Sequence, residues 1–130
     1  GWDWAGLNLA DGGALMAFRM RNRTGGTVWA GGTLRGGDGR LRMFSPADIG
    51  FVPRRTWRSP RTGVEYPVAM TLSAGGTTYA LDPLFDDQEL DASASTGTIY
   101  WEGAVRASTV GGEAGRGYLE LTGYGMPLRL

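Results

Sequence analysis

The chain has 130 residues, enough for one domain with a real core, and residues 1–130 are read as a single unit. Its 13 basic and 13 acidic residues cancel, so no net charge draws it toward nucleic acid or anionic lipid. Every basic residue is arginine, and Lys, His and Cys are absent. This excludes His and Cys nucleophiles, Lys Schiff bases, disulfides and the usual zinc or haem ligand sets. Any chemistry must use Asp, Glu, Tyr, Ser, Thr or Arg, and no cofactor or metal is implied. The apolar runs fall far short of the ~20 residues that a membrane span requires. No leader peptide is visible, and Gly1 is not an initiator Met, which predicts a mature or excised piece. The 23 glycines fit turns and tight sheet corners better than disorder.

In chain order, residues 2–9 alternate, with Trp2, Trp4, Gly6 and Asn8 opposite Asp3, Ala5, Leu7 and Leu9, and predict a first strand. Asp11-Gly12-Gly13 is a hairpin signal. Residues 14–21 follow, with Ala14, Met16, Phe18 and Met20 on one face and Arg19 and Arg21 on the other. A turn at 22–26 leads to a strand over 27–35, where Gly31-Gly32 marks a bulge or a close backbone approach. After the 36–39 turn, residues 40–44 form a short strand. Ser45-Pro46-Ala47-Asp48 carries the cap and proline of a single helical turn.

Residues 51–58 resume as a strand in which Pro53 signals an edge or a bulge. Residues 59–63 turn, 64–74 form a long strand, and 77–84 another. Residues 85–97 read as the one real loop, acidic and rich in small residues. The chain closes on two strands: 99–106, with Ile99, Trp101 and Val105 opposite Tyr100, Glu102 and Arg106, and 115–124, with Leu119 and Leu121 opposite Tyr118, Glu120, Thr122 and Tyr124. Pro127 ends the last strand. Roughly nine strands with turn signals every ~8–12 residues predict an all-β up-and-down barrel or sandwich.

Several of these stretches together resemble a known family. They are Gly1-Trp2-Asp3-Trp4, Leu15-Met16 with Arg19 and Arg21, Trp57-Arg58-Ser59-Pro60-Arg61-Thr62-Gly63, Tyr66-Pro67, Asp87-Gln88-Glu89-Leu90, Tyr100-Trp101-Glu102-Gly103-Ala104-Val105 and the run from Gly115 to Tyr124. In this order and over nearly the whole chain, they resemble the lipocalin-like family of carotenoid 1,2-hydratases and AttH-type predicted secreted hydrolases. The resemblance implies a lipocalin-like antiparallel up-and-down β-barrel of about eight to nine strands. It also implies that this chain is the C-terminal barrel of a two-barrel protein, with an N-terminal lipocalin-like domain of the same parent chain as partner. A lipophilic, isoprenoid- or lipid-like small molecule is the implied ligand, and the periplasm, cell envelope or exterior the implied location. The family pattern places an acidic-His-Glu-Trp segment upstream of Gly-Trp-Asp-Trp; here the sequence starts at Gly1 and holds no His.

Hydrating an alkene requires a proton donor, a surface that stabilises a carbocation and a positioned water. Asp3, Glu102 and Tyr100 are the acid candidates. Trp4, Met16, Phe18, Trp57, Trp101, Tyr118 and Glu120 are the candidate ligand contacts. Each has a plainer reading. Glu102, Glu120, Arg19, Arg21 and Arg106 fit solvent-side cross-strand ion pairs. Asp3 sits in a strand apolar on both faces, where burial against an arginine is a further reading. Met16, Phe18 and Met20 line a cavity or pack the core. Arg58 and Arg61 bind an anion, or their segment is a fixed turn with Trp57 plugging a barrel end. The 86–89 acids lack calcium-loop spacing and fit a solvated loop.

Three functions follow as alternatives. Half of a two-barrel hydratase predicts a buried carboxylate with a raised pKa facing a cavity. A non-catalytic lipophile-binding module predicts an open apolar cavity. A barrel supporting an N-terminal catalytic barrel predicts a filled interior and an exposed apolar patch.

Overall fold

The computed structural model describes residues 1–125; Pro127, expected to end the last strand, lies outside them. Ten antiparallel strands form one strongly curled sheet. They are β1 (Trp2–Leu9), β2 (Ala14–Arg21), β3 (Thr27–Arg35), β4 (Leu41–Phe44), β5 (Ile49–Arg58), β6 (Glu65–Ala74), β7 (Thr77–Pro83), β8 (Glu89–Ala92), β9 (Thr98–Thr109) and β10 (Gly112–Leu121). The order across the sheet is β4-β3-β2-β1-β10-β9-β7-β6-β5, with β8 also paired to β9. The all-β architecture is as expected. The count is ten rather than eight or nine, and the hydrogen-bonded path is not closed, because β4 and β5 stand at its two ends. The side chain of Ile49 on β5 nevertheless reaches the bare backbone of Gly32 on β3, the close approach that the paired glycines signalled.

The turn chemistry behaves as the residues dictate. Gly12 and Gly63 take φ of 89° and 74°, a region open to glycine without steric cost. Pro46–Asp48 is a single 3₁₀ turn, with the Ser45 amide donating to the Asp48 carboxylate. Pro53 lies on the edge strand β5 and at a register shift, so both readings of that proline hold.

The core lies on the inner face of the curl, where Trp101, Tyr66, Met70, Leu72, Leu81, Leu119 and Leu121 are fully buried. Alternation puts Asp3, Ala5 and Leu7 of β1 on this face with Leu15 and Ala17 of β2. Arg19 and Arg21 share the inward face of β2, contrary to the solvent-side expectation. The Met16-Phe18-Met20 stripe therefore points outward and is not core. Period-2 alternation fixes which residues share a face, not which face is inside. Here the small Leu15-Ala17 pair won the interior over the larger stripe.

The expected 85–97 loop contains β8 and a break between β7 and β8 that Gln88 bridges. Its amide oxygen accepts from the Ala104 amide at 2.8 Å, and its nitrogen donates to the carbonyls of Ala104 and Phe85. One side chain thus stands in for missing ladder bonds, while Trp101 Nε1 donates to the Asp86 carbonyl at 2.8 Å. Replacing Gln88 by Ala leaves the part-buried Ala104 N–H unpaired, while the Ala104 carbonyl keeps the Leu84 amide. The expected cost is about 1–3 kcal/mol, read by chemical denaturation, with Gln88→Glu recovering part of it because it keeps the acceptor.

Candidate functional site

Asp3 is the centre of the polar structure inside the curl. Its residue is fully buried, yet both carboxylate oxygens are occupied. Arg19 Nε donates to Oδ2 at 2.6 Å, Arg21 Nη1 to Oδ1 at 2.6 Å, and the Tyr124 hydroxyl to Oδ1 at 2.7 Å. Strand register makes this convergence: Asp3 stands directly between Arg19 of β2 and Leu121 of β10. Tyr124 arrives from beyond β10. The bend at Gly123, with φ of 78°, turns Tyr124 off the outer face where simple alternation places it and folds it inward. The Arg21 guanidinium then lies 4.0 Å over the Tyr124 ring and also donates to the Thr122 carbonyl.

A second buried carboxylate, Glu89 of β8, sits on the far side of the same interior. Ser59, Thr62 and Tyr66 donate to it at 2.6, 2.7 and 2.7 Å, and Arg61 at 3.3 Å. Burial raises the Glu89 pKa, but the hydrogen bonds from Ser59, Thr62 and Tyr66 and the charge of Arg61 outweigh it and hold Glu89 below its ordinary value. Burial, followed by the bond to Glu89, pushes the Tyr66 phenol up. Burial and then the charge of Asp3 do the same to Tyr124.

Aromatic rings join the two tyrosine–carboxylate pairs. Tyr66 and Tyr124 meet edge to face at 6.2 Å, and Trp57 stacks on Tyr66 at 6.3 Å. The Arg19 guanidinium lies 5.9 Å from the Phe51 ring centre. One end of the curl therefore carries Asp3–Tyr124 and Glu89–Tyr66 in a wall of aromatic faces. Such an arrangement can hold negative charge and relay a proton between phenol and carboxylate. Among the described residues no buried side-chain nitrogen or oxygen lacks a partner, and no group of three carboxylates is placed to hold a metal.

The residues singled out in the sequence divide between the two faces. Asp3, Trp57 and Trp101 belong to the inner side, with Trp101 buried behind the cluster. Trp4, Met16, Glu102 and Tyr118 line a groove of about 530 Å³ on the outer face. Tyr100, Glu102 and Glu120 line a neighbouring one of about 190 Å³. Phe18 covers bare Gly31 beside them. Glu120 accepts from Trp2 Nε1 at 2.9 Å, and among the described contacts neither Glu102 nor Glu120 pairs with an arginine. The solvent-side pairing expected for these two acids is absent there: Arg19 and Arg21 have gone inside to Asp3, and register sets Glu102 opposite Glu120 rather than opposite Arg106. Arg58 and Arg61, read as anion binders or turn residues, pair internally with Glu65 and Asp87. Sequence reasoning missed Glu89, Tyr66 and Tyr124 as inner-site residues. The signal was present as three separate motifs, but no local pattern says that they meet.

The AttH-like family model matches residues 1–124. The chain belongs to the AttH-like family. No curated protein matches it. A solved structure of a candidate AttH from Nitrosomonas europaea superposes with a TM-score of 0.92 at 52% identity, covering 95% of this chain and 38% of that one. Kievitone hydratase from Nectria haematococca superposes with a TM-score of 0.71 at 21% identity, covering 96% of this chain and 39% of that one, a likeness of fold. This AttH-like chain thus spans about two fifths of either structure.

Removing the charge of Asp3 strands two buried guanidinium groups. Asp3→Asn is expected to cost about 3–5 kcal/mol in denaturant unfolding. Glu89 gives a pH signature. Its folded pKa lies below the ordinary 4.5, so its contribution is complete above that value and is lost as pH falls through the folded pKa. Glu89→Gln is therefore expected to be less stable at neutral pH and to lose less stability than the parent on acidification below about pH 4.5, followed by thermal melts across pH.

Proposed function

We propose that this chain is the C-terminal-type barrel of a hydratase-like protein that acts on a lipophilic, isoprenoid- or lipid-like small molecule, with the site at the end of the curl that holds Asp3. The observation that carries the reading is the Asp3–Tyr124 pair, a phenol hydrogen-bonded to a fully buried carboxylate and flanked by the aromatic faces of Tyr66 and Trp57. Asp3 accepts from three donors, so its role here is that of a fixed negative charge and proton acceptor. Tyr124 is the group through which a proton reaches or leaves it. Addition of water to an alkene then proceeds by proton delivery to one carbon, with positive charge developing on the other against the aromatic faces. Water attacks that carbon, and its surplus proton passes toward Asp3 by way of Tyr124. The proton donor belongs to the rest of the protein, an N-terminal lipocalin-like barrel of the same parent chain. Location in the periplasm, cell envelope or exterior is part of the same proposal and follows from the family resemblance.

A second reading, that the barrel is non-catalytic and supports the N-terminal barrel, is favoured by the packed interior. The inner face is filled by Trp101, Met70, Leu72, Leu81 and Leu119, and Glu89 is held low rather than raised.

Incubation of the full two-barrel parent protein with an isoprenoid alkenol in heavy-oxygen water, followed by mass spectrometry, separates the readings. Labelled diol formed by the parent and abolished in Tyr124→Phe supports the catalytic role. Alkenol retained on native mass spectrometry without label assigns binding alone. Label formed by the two-barrel protein and unchanged in Tyr124→Phe assigns the supporting role.

A further inference from the structure

The outer face of β3-β2-β1-β10-β9 is not built like a solvated surface. Along it, strand register sets Trp29, Met20 and Trp2 in one row, and Phe18 and Trp4 in the next. Met16, Gly6 and Tyr118 form the row after that. Glycines bare the backbone where rings lie flat: Trp4 folds over Gly6, and Phe18 covers Gly31. Trp29 and Tyr118 remain half exposed, at 52% and 53%. The sheet is thus apolar on both faces, a pattern that belongs to sheets covered on both sides.

Charges at the β9–β10 part of this face are arranged by sign. Glu120 stands directly opposite Glu102, and Arg116 directly opposite Arg106. Between these two like-charged pairs lies the pair Tyr118 and Ala104. Like charges directly opposite each other repel, and this fold keeps two such pairs side by side. Glu102 and Arg106 make no described salt bridge, since Asp82 of β7, which stands opposite Arg106, pairs with Arg54; Arg116 has only the exposed Glu113 at 3.5 Å, and Glu120 only the Trp2 indole.

This pattern is self-complementary. A two-fold axis along the Tyr118–Ala104 row, lying in the contact plane, brings Glu120 over Arg116 of a second copy and Glu102 over its Arg106. Each contact then occurs twice, and Tyr118 meets its own counterpart on the axis. We propose that this face docks a second copy of the same chain, in an isologous dimer with an apolar centre of Trp4, Met16 and Tyr118 and an Arg–Glu exchange on either side of it. Trp, Tyr and Arg are the residue types that carry binding energy at such centres. The inference stands on the outer face alone and does not depend on the proposed chemistry at Asp3.

Charge reversal on β9 tests it. Sedimentation equilibrium is run on the parent, on Glu102→Arg, on Arg106→Glu and on the double variant, with circular dichroism reporting the fold. The dimer is the expected parent state. Either single reversal sets like charges across the axis and weakens dimerisation by about a hundredfold or more. The double variant restores it, because the inverted pattern is again self-complementary. Tyr118→Lys abolishes it without touching either charged pair. A parent that stays monomeric overturns the proposal and leaves the face to another layer, such as an upstream barrel. A dimer that is indifferent to the single reversals overturns it as well, by placing the contact elsewhere.

Discussion

The interior ion cluster around Asp3 is the constraint on which the rest of this structure depends. A buried carboxylate that accepts from Arg19, Arg21 and Tyr124 joins the first strand, the second strand and the chain beyond the last one. Taking three charged groups out of water is costly, and their mutual bonds offset that cost only when the geometry is complete. The cluster therefore specifies register: a one-residue slip of β1 against β2 would turn Asp3 outward and strand two arginines inside. It also fixes Tyr124, and through the edge contact with Tyr66 it couples the β1–β2–β10 side of the curl to Glu89 and the β5–β6 corner.

The same cluster determines the outer face. Turned inward, Arg19 and Arg21 leave the outer face of β2 without charge. With both drawn inward, the outer face keeps an acidic pair, a basic pair and a band of aromatic and methionine side chains. Inner polar cluster and outer apolar band are two consequences of one inversion, in which charge is buried and rings are displayed. That inversion is affordable because the opposite wall of the curl, β6 with β7 and β9, is packed with fully buried apolar side chains.

Strand positions were legible because alternation and turn residues are local. The segments around Trp2–Leu9, Ala14–Arg21 and Thr27–Arg35 follow directly from them. The proline of β5 likewise announced both an edge and a bulge. Facing was not legible. In β2 the choice between Leu15-Ala17-Arg19 and Met16-Phe18-Met20 as the inner side cannot be made from the strand alone, since it depends on a carboxylate that another strand delivers. β8 was hidden in an acidic stretch because Glu89 is polar by type and buried by context, held by Ser59, Thr62 and Tyr66 from a different corner. Tyr124 was misplaced because a glycine bend ends the alternation one residue before it. The family resemblance supplied the membership that local physics could not, while the division of the candidate residues between two faces emerged only from the three-dimensional arrangement.

The account rests on the claim that a lipophilic ligand is met at the Asp3 end of the curl and not in the outer grooves. Nuclear magnetic resonance of the chain carrying ring-labelled tyrosine, titrated with an isoprenoid alkenol, tests it most directly. The account predicts that the Tyr124 and Tyr66 signals move together while those of Tyr100 and Tyr118 stay in place. Movement confined to Tyr100 and Tyr118 would contradict it and transfer the ligand to the outer face.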